Sequence, residues 1–137
     1  ALHPLSSGTS HSAQYALAGV MKAVNDGTYN YRDDVLEYGK KAKLMKDAFV
    51  DNGFKFTYDE DLGEPIADGF YFTYCYPGFS GAELLETMLY YGISAISLDT
   101  CGSTRQGIRA CTSLIQRDEI PVLAERLKRF AEDHPVK

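Results

Sequence analysis

The hydrophobic positions of this chain change their period several times, and each change marks an element. Beyond the polar opening Ala1–Ser10, broken by Pro4 and Gly8, Tyr15, Ala18, Met21 and Val24 recur every third residue. That spacing predicts a helix from about Ser12 to Asp26, stopped by Gly27. A second helix is predicted from about Asn30 to Asn52, because Val35, Tyr38, Ala42, Met45 and Phe49 advance by 3, 4, 3 and 4 residues along one stripe. Lys40, Lys41, Lys43 and Lys46 fall largely off that stripe and read as a solvated face. Asp33, Asp34, Glu37 and Asp47 offset most of their charge. Asn52-Gly53 supplies the stop, since glycine accepts the left-handed turn of a helix C-terminus.

Past Gly53 the period becomes two. Phe54, Phe56 and Tyr58 alternate with Lys55 and Thr57 as a half-buried strand does. Asp59–Glu64, with Gly63 and Pro65, reads as a loop. The aromatic run Gly69–Tyr76 reads as a strand occupied on both faces, ended by Pro77-Gly78. Ser80-Gly81-Ala82-Glu83 has the spacing of a capping box, opening a helix with Leu84, Leu85, Met88 and Leu89 on one side and Gly92 as its stop. Ile93–Leu98 and Gly107–Ile115 read as strands around the small-residue loop Asp99–Thr104. A last helix has Asp118 as cap, Pro121 in its first turn, and Ile120, Leu123, Leu127 and Phe130 facing inward.

Short loops join Phe54–Tyr58 to Gly69–Tyr76 and Ile93–Leu98 to Gly107–Ile115, so both pairs are expected to be antiparallel. The fold class that follows is α+β, a two-layer sandwich with a mostly antiparallel sheet of about four strands covered by helices. One domain is expected over residues 1–137, with residues 1–53 as lead-in and two helices, and residues 54–137 as sheet and two helices.

Composition narrows the function classes. The chain has 137 residues, 45% hydrophobic and 24% charged, which suits one ordinary core. A formal net charge of −5 argues against a duplex or membrane-surface binder, whose footprint is basic. No apolar run approaches the roughly 18 to 20 residues of a membrane span. Cys75, Cys101 and Cys111 form an odd set without a CxxC pair, so a reducing cytoplasm is expected. His3, His11 and His134 are too scattered to suggest a metal site, and no metal is expected.

No motif assembles a catalytic set. Cys111 has no evident His partner and reads as a small buried hydrophobe. Asp99 and Arg105 have the spacing to pair across their loop. The informative segment is Gly107–Leu114, where Arg109, Cys111, Ser113 and Ile115 share one face of a strand and Ile108, Ala110, Thr112 and Leu114 the other. A guanidinium among small and apolar residues costs free energy without a partner, and its planar fork suits a carboxylate or phosphate. Two readings stay open: an arginine that reaches solvent or an acidic neighbour, and a clamp for a ligand carboxylate.

The order of these motifs resembles the C-terminal small domain of class I/II aminotransferases, the fold-type-I enzymes that use pyridoxal phosphate. The resemblance is carried by Gly69-Phe70-Tyr71-Phe72, Tyr91-Gly92-Ile93, the strand and loop Ser94–Gly102, and Gly107-Ile108-Arg109. Upstream, Ser6-Ser7-Gly8 leading into Ala13–Ala18, and the helix Tyr38–Gly53, are similar too, so nearly the whole chain is covered. The resemblance implies that Arg109 holds the substrate α-carboxylate, with Phe70 and His3 as further substrate contacts. It also implies that Ser7 meets the cofactor phosphate across a dimer interface.

It further implies that the Schiff-base lysine, and with it pyridoxal 5'-phosphate, belongs to an upstream large domain. None of the lysines here stands in a matching motif, and no catalytic residue is expected in this chain. The expected partners are that large domain, a second copy in a homodimer, and an amino acid or 2-oxo acid substrate. The chain alone is expected to be inactive and to bind no cofactor. Asp99–Thr104 departs from the pattern in lacking the Pro-Gly often found before the arginine strand. The competing reading is a self-standing regulatory module that binds a small carboxylate, and a third is a structural interaction domain.

Overall fold

The structure, a computed structural model, describes residues 8–66 and 69–136. These fall into two compact units divided between Leu36 and Glu37. The first unit holds helix α1 (His11–Asn25) and the beginning of α2 (Tyr31–Val50). No residue of α1 is buried. The expected apolar face of Tyr15 and Met21 is therefore solvent-facing, at 79% and 56% exposure.

The second unit contains the remainder of α2, a sheet and two further helices. Its strands are β1 (Lys55–Phe56), β4 (Tyr71–Cys75), β5 (Ile96–Ser97) and β6 (Ile108–Cys111), in spatial order β1-β4-β6-β5. All three pairings are antiparallel, with Phe56 opposite Tyr74, Thr73 opposite Arg109, and Ile96 opposite Arg109. Helices α3 (Gly81–Tyr90) and α4 (Ile120–Asp133) complete a mixed α+β architecture of the expected class. Phe72, Tyr74, Ile108 and Ala110 bury one sheet face in a core shared with Met45, Phe49, Leu84, Met88, Leu127 and Phe130. Aromatic contacts dominate that core: Phe49 stacks on Tyr74 at 4.1 Å between ring centroids, and Phe130 meets Phe54, Tyr76, Phe79 and Tyr91. Such ring pairs add about 0.5–1.5 kcal/mol each beyond their buried area.

The helix punctuation follows the sequence closely. Ser80 Oγ accepts from the Glu83 amide at 3.3 Å while the Glu83 carboxylate accepts from the Ser80 amide at 2.9 Å. At the end of α2 the Gly53 amide donates to Val50 O and the Phe54 amide to Phe49 O, the paired bonds of a Schellman stop. The two phenylalanines of that motif lie 5.1 Å apart. Gly92 and Ile93 repeat the arrangement after α3, donating to Leu89 O and Met88 O.

Four expectations need correction. Asp59–Glu64 is not an open loop: β2 (Glu60–Asp61) and β3 (Glu64–Pro65) form a hairpin whose turn places Leu62 at φ 52° and Gly63 at φ 84°. Lys41 is not on a solvated face. It is buried, donating from Nζ to Ile115 O at 2.8 Å and lying over the Tyr38 ring. The α4 entrance is a 3-10 turn, Arg117–Glu119, so Asp118 lies inside it and is not the cap. The Glu119 carboxylate accepts from the Gln116 amide at 2.7 Å instead. Asp99 and Arg105 do not pair: Arg105 donates to Thr57 O at 2.7 Å and lies over the Tyr58 ring. The hydroxyl of Ser97 and the amide of Thr100 hold the Asp99 carboxyl below its ordinary range.

Close backbone approach fixes the start of β6. A Cβ on Gly107, which has φ 145°, would stand 2.5 Å from Tyr74 O, and one on Gly81 would stand 2.7 Å from Gly107 O. The Gly81 amide donates to Gln106 Oε1 at 2.8 Å, tying the N-terminus of α3 to the strand that carries Arg109.

Candidate functional site

Alternation along β6 determines where Arg109 points. Ile108 and Ala110 are buried, so Arg109 and Cys111 emerge on the opposite face, where both are half-buried. β6 lies between β4 and β5, so Arg109 stands on an interior strand and not at an edge. Its guanidinium carbon is 4.5 Å from the centroid of the Tyr71 ring, a cation–π contact from the neighbouring strand. Among the described residues, no hydrogen-bond acceptor or carboxylate engages that guanidinium.

Arg109 lines a cavity of about 660 Å³, a size typical of small-molecule sites. Tyr71 and Cys111 stand with it in the wall. Met45 and Phe49 from α2, Ile93, Leu114 and Ile115 from loops, and Val122 and Leu123 from α4 supply an apolar remainder. Two more charged side chains reach the wall, and each has a bond within the protein. Arg126 donates to Gly92 O at 2.6 Å, and Glu119 holds the Gln116 amide.

Cys111 is half-buried and belongs to this site rather than to the core, which corrects the expectation of a small buried hydrophobe. Burial pushes its thiol up, but the hydroxyl and amide of Ser113, the Leu114 amide and the charge of Arg109 outweigh it. The net effect lowers the thiol below its ordinary value, with Sγ 3.0 Å from Ser113 Oγ. The signal was present in the sequence, since residues 109 and 111 of one strand share a face. Arg126 and Leu123 carried no such signal, because only the tertiary fold brings α4 to this wall.

The other proposed site residues separate. Phe70 is half-exposed, packs against Tyr38 with 4.9 Å between ring centroids, and is not part of the cavity wall. His3 and Ser7 lie outside the described residues. No lysine among the described residues lines the cavity: Lys41 is bonded to Ile115 O, and Lys46 borders a smaller cavity near Phe56 and lies over the Phe72 ring. Among the described residues the wall therefore offers no amine for a Schiff base. No group of three or more His, Cys, Asp or Glu side chains able to hold a metal ion occurs among the described residues. No helix among them is long and apolar enough to cross a membrane.

What the arrangement can do is bind an anion. A guanidinium with free donors, held in orientation by an aromatic ring and facing a mostly apolar cavity, recognises a planar carboxylate by two parallel hydrogen bonds. Compared with models of known protein families and with curated proteins, the chain matches none.

Proposed function

We propose that this chain is the C-terminal small domain of a pyridoxal-phosphate aminotransferase, an enzyme that moves an amino group between an amino acid and a 2-oxo acid. On this reading Arg109 holds the substrate α-carboxylate. The cofactor and its lysine belong to an upstream large domain, and the parent works as a cytoplasmic homodimer. The observation that carries the reading is the state of Arg109: unpaired among the described residues, stacked on Tyr71, and set in the wall of a cavity. A clamp of this kind fixes the orientation of a bound amino acid, and orientation is a large part of what a binding residue adds to a rate.

The test is made on the protein as its natural gene encodes it. A product about three times this length, with transaminase activity that falls at least a hundredfold in kcat/KM in Arg109→Ala, supports the proposal. That corresponds to about 2.7 kcal/mol, within the roughly 2–5 kcal/mol cost of truncating a buried carboxylate partner. A gene product ending near these boundaries, with carboxylate binding that still depends on Arg109, would establish the self-standing regulatory module instead. Transaminase turnover by the 137 residues alone would overturn the assignment of the cofactor and its lysine to an upstream domain.

A further inference from the structure

We propose that the Arg109 cavity selects carboxylates with an apolar side chain, that is, branched or aromatic 2-oxo acids and the corresponding amino acids. The inference rests on the reading of Arg109 as a carboxylate clamp and adds the substrate class. Charge is distributed unevenly around the cavity. Arg109 is the guanidinium with no acceptor among the described residues, whereas Arg126 is bonded to the Gly92 carbonyl. Arg126 keeps N–H groups beyond the one given to Gly92 O, and Glu119 stands in the same wall, so the selectivity comes from the apolar remainder. Hydrocarbon would meet Phe49, Leu114, Ile115, Val122 and Leu123. A volume of about 660 Å³ leaves room for a side chain well beyond a methyl group. Each methylene moved from water onto such a wall multiplies affinity roughly fourfold.

The test titrates the purified chain by NMR with pyruvate, 4-methyl-2-oxopentanoate, 2-oxoglutarate and the uncharged 4-methyl-2-pentanone. The branched acid carries three more carbons than pyruvate on its side chain, so an advantage of roughly ten- to sixtyfold is expected. The dicarboxylate, whose side chain ends in a charge, should bind more weakly than the branched acid, and the ketone should not bind measurably. Leu123→Ser should reduce the branched-chain advantage, and Arg109→Gln should weaken all three acids.

Equal affinity for pyruvate and the branched acid, both dependent on Arg109, would overturn the side-chain selectivity and leave the clamp intact. Tightest binding by 2-oxoglutarate would overturn it as well. Acid binding indifferent to Arg109 would remove the clamp and this inference together. A second readout needs no variant. Saturating 4-methyl-2-oxopentanoate should slow alkylation of Cys111 by iodoacetamide at least fivefold relative to Cys101, which is exposed and outside the cavity wall. Unchanged Cys111 reactivity would contradict occupancy of the cavity.

Discussion

Arg109 and Tyr74 stand on adjacent strands, and each places a polar group in apolar surroundings with a different consequence. Arg109 faces a cavity that a ligand can fill, whereas Tyr74 is fully buried with a hydroxyl that finds no partner among the described residues. Burial alone pushes the Tyr74 phenol well above its ordinary value of 10.0. Below that value the phenol is neutral in the folded and the unfolded chain, so it adds no pH dependence. Above it the unfolded chain loses the proton while the buried phenol keeps it, so stability falls as pH rises from 10 toward the folded value. Tyr74→Phe removes the orphan hydroxyl and is expected to leave stability unchanged at neutral pH or raise it by about 1 kcal/mol. Urea midpoints between pH 7 and 11 check both parts. The variant should lose less stability than the wild type above pH 10, and parallel decline would show that Tyr74 is not the group responsible. Lys41 gives the residue-scale lesson on legibility. Its charge suggested a solvated face, yet it stands three residues after Tyr38 and four before Met45, the spacing of the buried stripe.

At the scale of elements, the sequence disclosed helices better than strands. Helix ends depend on local bonds, and both the Ser80–Glu83 box and the Gly53 and Gly92 stops formed where their spacing placed them. Strand lengths depend on partners distant in the chain. The expected strand Phe54–Tyr58 pairs regularly only over Lys55–Phe56, because the Thr73 hydroxyl takes the Tyr58 amide and ends the ladder. The hairpin at Glu60–Pro65 was hidden because leucine, not asparagine or aspartate, occupies its first left-handed position. Of the candidate site, Arg109 and its face could be read from alternation along one strand, while the opposing wall from α2 and α4 could not. Two substitutions rank the forces at this scale. Ser80→Ala removes one cap and should cost about 1 kcal/mol. Gly107→Ala forces a side chain onto positive φ and against Tyr74 O, and should cost about 3 kcal/mol or prevent folding. Thermal melts of the two variants check the order, and an equal loss would mean that the backbone around Gly107 relaxes freely.

For the molecule as a whole, binding by Arg109 requires only that its own unit be rigid, since a clamp is as precise as the shell that supports it. That shell is the unit beginning at Glu37, where β4 and β6 pair over the aromatic core. The first unit is built differently. Its helix α1 spans 15 residues and buries none, and a helix of that length without a packed face is marginal in water. Native-state hydrogen exchange followed by peptide mass should separate the two. Amides of α1 are expected to exchange through local openings whose free energy is small and insensitive to low denaturant. Amides of β4 and β6 are expected to exchange only through global unfolding, with the full denaturant dependence of the chain. Addition of 4-methyl-2-oxopentanoate should slow exchange in β6 and leave α1 unchanged, because the cavity wall takes no residue from α1. Protection in α1 equal to that of β4 would show that the helix draws its stability from packing beyond its own sequence. Ligand protection that appears in α1 rather than in β6 would move the binding site away from Arg109.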